Sequence, residues 1–377
     1  MNGNFVYYPS NSVGSLLQLS EQSNKYKGFD CNWWQKDSFY KYDYLLVSAF
    51  HCRYNDFRER HNIPNDFNVM GDSGGFQAFT QELDFDPLTV LRWQEEVCNI
   101  GLILDKPPFE KLPGGLNYAR VDTKKFKKAA DITYRNAKVV NDNRVSKRNT
   151  KFGFELLNVM QGATVEEYDI WYNIMKEFEF DGWAVAPKPQ TPFNVAMMMA
   201  YMYEKGHTNK VHILGLSGFN TSLLCIYMTK YFDNILIDSS SHARGMIARE
   251  YTLPYNTKEM LRLGDKANPD GTWLEEWPCI CPVCSNIDPP KMVLGPEQTT
   301  HGATLLSLHN LYQSISTMQQ MRALARNEDR YMDFVKRYGS KEAMRSIEFF
   351  NHSVEHGFES AYKKYLMGDT SNLDEFF

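Results

Sequence analysis

Two sets of residues in this chain have types and spacing suited to chemistry: carboxylates that end apolar runs, and a tight group of thiols. In Val69-Met70-Gly71-Asp72-Ser73-Gly74-Gly75-Phe76-Gln77 an apolar run ends on an acid, breaks at two glycines and turns helical. Asp72 is therefore expected at the mouth of a strand-to-helix turn, where a parallel α/β barrel keeps its chemistry. The plainer reading keeps the glycines for a tight turn and Asp72 for a helix cap. Asp105, in Leu104-Asp105-Lys106-Pro107-Pro108, and Asp238, in Leu236-Ile237-Asp238-Ser239-Ser240, end apolar runs in the same way.

Cys279-Ile280-Cys281-Pro282-Val283-Cys284 is followed after 24 residues by His309, inside a segment with helical periodicity. Three thiolates on a knuckle and a helical imidazole satisfy tetrahedral Zn²⁺ with no open position, a structural site. His301 is the competing fourth ligand, and three unmetallated thiols beside an unrelated histidine are the plainer alternative. Seven cysteines, an odd number with three crowded together, point to metal binding over disulfides.

Such side chains need a frame that points them one way. Strand-like runs at 43–50, 67–72, 99–105, 152–160, 182–186, 211–216 and 234–238 alternate with helical segments such as 86–98, 164–178, 192–205 and 220–231. Near-continuous apolar strands between helices predict a parallel sheet, and seven of them predict a (β/α)₈ barrel with one poorly marked strand. Asp72, Asp105, Gln161, Ser217 and Asp238 all fall at or just past strand C-termini, as one barrel face requires. Residues 1–43 read as an irregular lead-in, 44–265 as the catalytic barrel and 266–377 as a zinc-binding subdomain with C-terminal helices. Within that last part, 298–327 and 328–366 read as helices.

With 43% apolar and 23% charged residues the chain is globular. The net charge of −5 means that a nucleic-acid partner must be held by a local basic surface. Residues 106–151 supply one, with 13 Lys or Arg against 4 Asp or Glu. A solvated helix face is the ordinary use of such a run. Trp33, Trp34 and Trp183 are stacking aids or core fillers. The absence of a signal-like N-terminus and of a long apolar run predicts a cytoplasmic protein with no membrane partner.

The Asp-Ser-Gly-Gly-Phe-Gln turn and the Cys-x-Cys-x₂-Cys-x₂₄-His pattern together make the chain resemble the tRNA-guanine transglycosylase family, from about residue 44 to about 335. That family includes DNA-modifying 7-deazaguanine transglycosylases. The resemblance implies an irregular (β/α)₈ TIM barrel with a zinc subdomain, exchanging guanine in a polynucleotide for a free 7-deazaguanine such as 7-cyano-7-deazaguanine. It implies Asp238 as the nucleophile, Asp72 as the group handling protons on the leaving and arriving bases, and Asp105 as the grip on the Watson–Crick edge. It further implies base contacts from Ser73, Gln161, Gly162, Gly182, Trp183 and Gly215, and a ring sandwich between Phe76 and Leu214. His309-Asn310-Leu311 and Met321-Arg322 also follow the family pattern.

In place of the Leu-Pro-Thr-Arg-like run of bacterial tRNA enzymes stands Ser239-Ser240-Ser241-His242-Ala243-Arg244, closer to the archaeal and DNA-acting branches. With no stretch long enough for an added RNA-binding domain, DNA is the expected polymer. The same exchange on tRNA is the alternative, and a catalytically silent nucleic-acid-binding subunit is the third reading. A homodimer or a helper protein is left open.

Overall fold

The computed structural model describes residues 1–11, 30–52, 54–112, 118–247, 250–253, 256–262, 279–286 and 300–367. Eight parallel strands close into a barrel: β1 (Asn4–Asn11), β2 (Tyr44–Ser48), β3 (Asn68–Asp72), β4 (Ile100–Leu102), β7 (Glu155–Gly162), β8 (Gly182–Pro187), β9 (Val211–Ile213) and β10 (Asn234–Ser239). They follow one another round the ring in chain order, with β1 pairing both β2 and β10. Two small hairpins are added, β5 (Phe109–Lys111) with β6 (Tyr118–Arg120) and β11 (Glu250–Leu253) with β12 (Asn256–Arg262).

The eighth strand corrects the reading of residues 1–43 as irregular. Asn4–Asn11 runs beside β10 from Asn4 opposite Asn234 to Pro9 opposite Ser239. Its apolar stretch is only Phe5-Val6-Tyr7-Tyr8, and a proline follows, so it carries little strand signal of its own. Pairing on both sides makes it a strand. Trp33 and Trp34, also in this part, are core residues at 1% exposure each, with indole N–H groups donating to the Tyr44 and His61 carbonyls.

Two of the barrel helices, Pro192–Glu204 and Phe219–Met228, are apolar almost all round, with Val195 to Met202 and Thr221 to Met228 buried without a break. A helix of that kind needs cover on both sides. The barrel covers one side, and the helix Lys341–His356 packs against both from outside. The span 328–366 is therefore several helices, broken at Gly339 and Gly357. The helix Thr300–Leu324 contacts β1, Phe219–Met228 and the short helix Ser241–Ile247, so it takes the place of the eighth barrel helix. Among the described residues no helix is long and apolar enough to cross a membrane.

Candidate active site

Because all eight strands are parallel, their C-terminal ends share one face, and the three acids meet there. Asp72 is the last residue of β3, beside Ser48 at the end of β2. Asp105 lies three residues past β4, and Asp238 is the next-to-last residue of β10.

The two glycines after Asp72 have separate duties. Gly74 has φ of 78°, a left-handed turn conformation that other side chains resist, and its N–H donates to Asp72 Oδ2 at 3.2 Å. Gly75 lets the chain pass Asp105: a Cβ on it would stand 2.5 Å from the Asp105 carbonyl oxygen and 2.9 Å from Oδ1. Gly75→Ala is expected to push Asp105 out of place and to destabilise the fold by about 1–3 kcal/mol. Thermal unfolding and a crystal structure of the variant check this; unchanged melting with Asp105 in place would refute it.

Asp72 has a strongly perturbed carboxyl. Burial first, then the charges of Asp105 and Asp238, push its carboxyl up to about 6, against the Gly74 N–H and the Ser48 hydroxyl, which lower it. A carboxyl titrating there exists in both protonation states near neutral pH, as a group that both gives and takes protons must. The same shift has a cost. The folded chain holds this proton more tightly than the unfolded chain, so the penalty is absent below about pH 4 and complete above about pH 6, roughly 3 kcal/mol. Asp72→Asn is expected to unfold at higher denaturant than the parent at pH 8, the gap closing as pH falls from 6 towards 4. Equal midpoints at pH 8 would show that the carboxyl is not buried against its neighbours.

Asp105 Oδ2 accepts from Gln161 Nε2 at 2.8 Å, tying the β4 loop to the end of β7. Burial raises the Asp105 pKa, while the Gln161 bond and the Lys188 charge oppose the rise. Lys188 follows β8 and was missed in the sequence, since a lysine before a proline carries no catalytic signature. The other side-chain atom of Gln161, Oε1, is buried with no hydrogen-bond partner, as is Gln77 Oε1. Buried polar atoms are seldom left so, and a ligand's donors are the natural partners.

Asp238 is 7% exposed. Its Oδ1 accepts from the Gly215 N–H at 2.8 Å, an approach made where Gly215 takes φ of 72° after β9. Phe76, 49% exposed at the start of the helix Gly75–Gln81, and Leu214, partly buried, leave strands four places apart in the eight-membered ring. They stand on opposite sides of the mouth.

Four of the residues assigned from the sequence take the following positions. Gly182 and Trp183 begin β8, at the end of the barrel away from the acids; Gly182 packs on the Lys210 carbonyl and Trp183 on Tyr172 and His207. A strand's first residues cannot reach the face where its last ones open. Ser73 is 1% exposed, its Oγ accepting from the Gly75 N–H at 3.4 Å, so it braces the turn from below. Gly162 has φ of 146° and abuts the Tyr168 ring, which fixes the bend after Gln161. In the basic stretch, Lys125, Arg144 and Lys147 pair with Glu110, Asp181 and Glu155, whereas Lys124, Lys127 and Lys128 are exposed without an ion pair among the described residues.

The sulfurs of Cys279, Cys281 and Cys284 and a nitrogen of His309 all lie within 4.8 Å of one another, every one buried. His309 Nδ1 is 3.7, 3.4 and 3.4 Å from the three sulfurs in that order. Around a tetrahedral metal with ordinary bond lengths, sulfur and nitrogen stand about 3.6 Å apart, so the four residues fit a metal ion. His309 Nε2 is 2.8 Å from the Thr252 carbonyl, which takes the Nε2 proton and leaves the Nδ1 lone pair facing the thiols. Tyr251 stacks on the ring at 4.0 Å, and the Gln313 amide donates to Cys279 Sγ at 3.2 Å. The side chain of His301 lies outside the described residues, as do 263–278.

No family model matches the chain. Over 70 residues it is 43% identical to the tRNA-guanine(15) transglycosylase of Korarchaeum cryptofilum (strain OPF8). The match takes in 17% of this chain and 11% of that protein's length. The barrel face with three acids and the buried Cys₃His cluster thus belong to a chain that is similar, over that stretch, to a tRNA-guanine transglycosylase.

Proposed function

We propose that the chain is a base-exchange enzyme that replaces guanine in a polynucleotide with a free 7-deazaguanine through a covalent sugar–aspartate intermediate. The observation that carries this reading is the electrostatic meeting of Asp72, Asp105 and Asp238 at one barrel mouth. Exchange without net hydrolysis requires the sugar to be held between departure of one base and arrival of the next. A carboxylate on C1′ does that, as in retaining glycosidases. Asp238 attacks C1′ as the C1′–N9 bond breaks, and the bond's electron pair leaves on N9 with a proton from Asp72. The incoming base returns that proton to Asp72 as its own N9 displaces Asp238.

Asp105 supplies selection. An ionised carboxylate accepts from both N1–H and the exocyclic amine of a guanine-like ring, and adenine has no such donor pair. A wrong base leaves a buried carboxylate unpaired, at a few kcal/mol. The target base must leave its stack, also at a few kcal/mol, and Phe76 and Leu214 are placed to receive it. Exposed Lys124, Lys127 and Lys128 are the phosphate contacts of this reading. The cluster of Cys279, Cys281, Cys284 and His309 holds Zn²⁺, which with four protein ligands ties segments together.

DNA is the favoured polymer on the Ser239-to-Arg244 segment; the name of the archaeal relative favours tRNA as the second reading. Labelled guanine incubated with DNA and tRNA side by side tests both. Label entering DNA supports the exchange and the polymer, and label entering tRNA alone moves the polymer; release of that label by added 7-cyano-7-deazaguanine tests the incoming base. Label entering neither overturns the exchange.

A further inference from the structure

The nucleophile has a neighbour that the exchange mechanism has not used. His212, in the middle of β9, is fully buried, and its Nε2 stands 3.1 Å from Asp238 Oδ1. The ring is not aligned for a hydrogen bond there, and neither Nδ1 nor Nε2 has a partner. The register places Ala184 of β8 and Leu236 of β10 alongside, and neither offers the imidazole a polar side chain. A buried imidazole with both nitrogens unpaired costs stability unless it gains a bond at some stage of function. Catalytic hydrogen bonds are often out of line before substrate arrives.

Resting on the exchange mechanism above, we infer that His212 is a positioning residue for Asp238, donating its Nε2 proton to Oδ1 when the carboxylate is charged. Gly215 N–H and His212 then both engage Oδ1, and no hydrogen bond is formed to Oδ2 among the described residues. Oδ2 is therefore the oxygen whose lone pair forms the bond to C1′, while the C1′–N9 pair departs with the base. In the sugar ester Oδ1 is a neutral carbonyl and a poorer acceptor. The His212 bond strengthens again when the incoming base displaces the carboxylate. His212 thus makes Asp238 a better leaving group and keeps the intermediate short-lived.

The test compares wild type, His212→Leu and His212→Gln in exchange of labelled guanine on DNA and tRNA, with the covalent protein–nucleic acid adduct followed on denaturing gels. His212→Leu is expected to lower kcat roughly tenfold with KM little changed, and to raise the adduct fraction several-fold. His212→Gln, whose amide also donates, should recover most of the rate. In ¹⁵N-histidine-labelled wild type the His212 ring resonances should move on Asp238→Asn, a readout that does not depend on turnover or on His212→Leu folding. Wild type that exchanges, with a His212→Leu adduct level and kcat unchanged, overturns the His212 role alone. Resonances indifferent to Asp238→Asn also overturn it. Wild type that neither exchanges nor forms adduct overturns both this role and the proposed function.

Discussion

Asp238→Asn is expected to reduce base exchange by about four orders of magnitude or more and to remove the covalent adduct with nucleic acid altogether. The substitution preserves shape. An amide oxygen can still accept the Gly215 N–H at the Oδ1 position, where the bond is now 2.8 Å, so β9 and β10 should remain joined. That leaves the amide nitrogen where Oδ2 was, without a free lone pair to attack C1′. Circular dichroism and melting should be near wild type while exchange and adduct vanish together. Exchange by Asp238→Asn within tenfold of wild type would remove the sugar–aspartate intermediate from the mechanism.

Loss of a metal bound at the Cys₃His cluster is expected to be the second large effect. Metal analysis of the purified chain should find about one zinc per chain, and strong chelation or Cys281→Ser should release it. A structural zinc site contributes on the order of 10 kcal/mol of folding free energy, comparable to the whole stability of a typical domain. The effect should spread beyond the knuckle. His309 sits in the helix Thr300–Leu324, which packs on β1 and on Phe219–Met228, so an unpinned helix bares one side of the barrel beside the Asp238 strand. Hydrogen bonding with Cys279, then burial, raises the Cys281 thiol pKa, while hydrogen bonding with Cys281 and Cys284 lowers that of Cys279, so the three sulfurs act as one set. Metal-free protein with an unaltered unfolding curve would show that the cluster does not carry this load.

Much of the frame could be read from the chain because barrel strands buried on both faces are plain apolar runs. Seven of them, from Tyr44–Ser48 to Asn234–Ser239, announced themselves in that way. The thiol spacing announced the Cys₃His cluster, since a tetrahedral site on one knuckle constrains ligand spacing within a few residues. What escaped the sequence was whatever depends on partners far along the chain. Asn4–Asn11 is a strand because β2 and β10 hold its two edges, not because its own residues demand it. Gly182 and Trp183 lie in a readable strand, but which end of a strand faces the site follows from the direction of the whole sheet.

The sequence by itself determined that acids end the strands, that two glycines follow the first of them, and that three thiols and a histidine share a short-range pattern. These are local facts, set by periodicity and turn chemistry. Only the tertiary structure decided that the charges of Asp105 and Asp238 bear on Asp72, that Gly75 must be bare to pass Asp105, and that a buried imidazole from β9 lies against Asp238. Burial and charge act through space, and residues 72, 105, 212 and 238 become neighbours only when the ring closes.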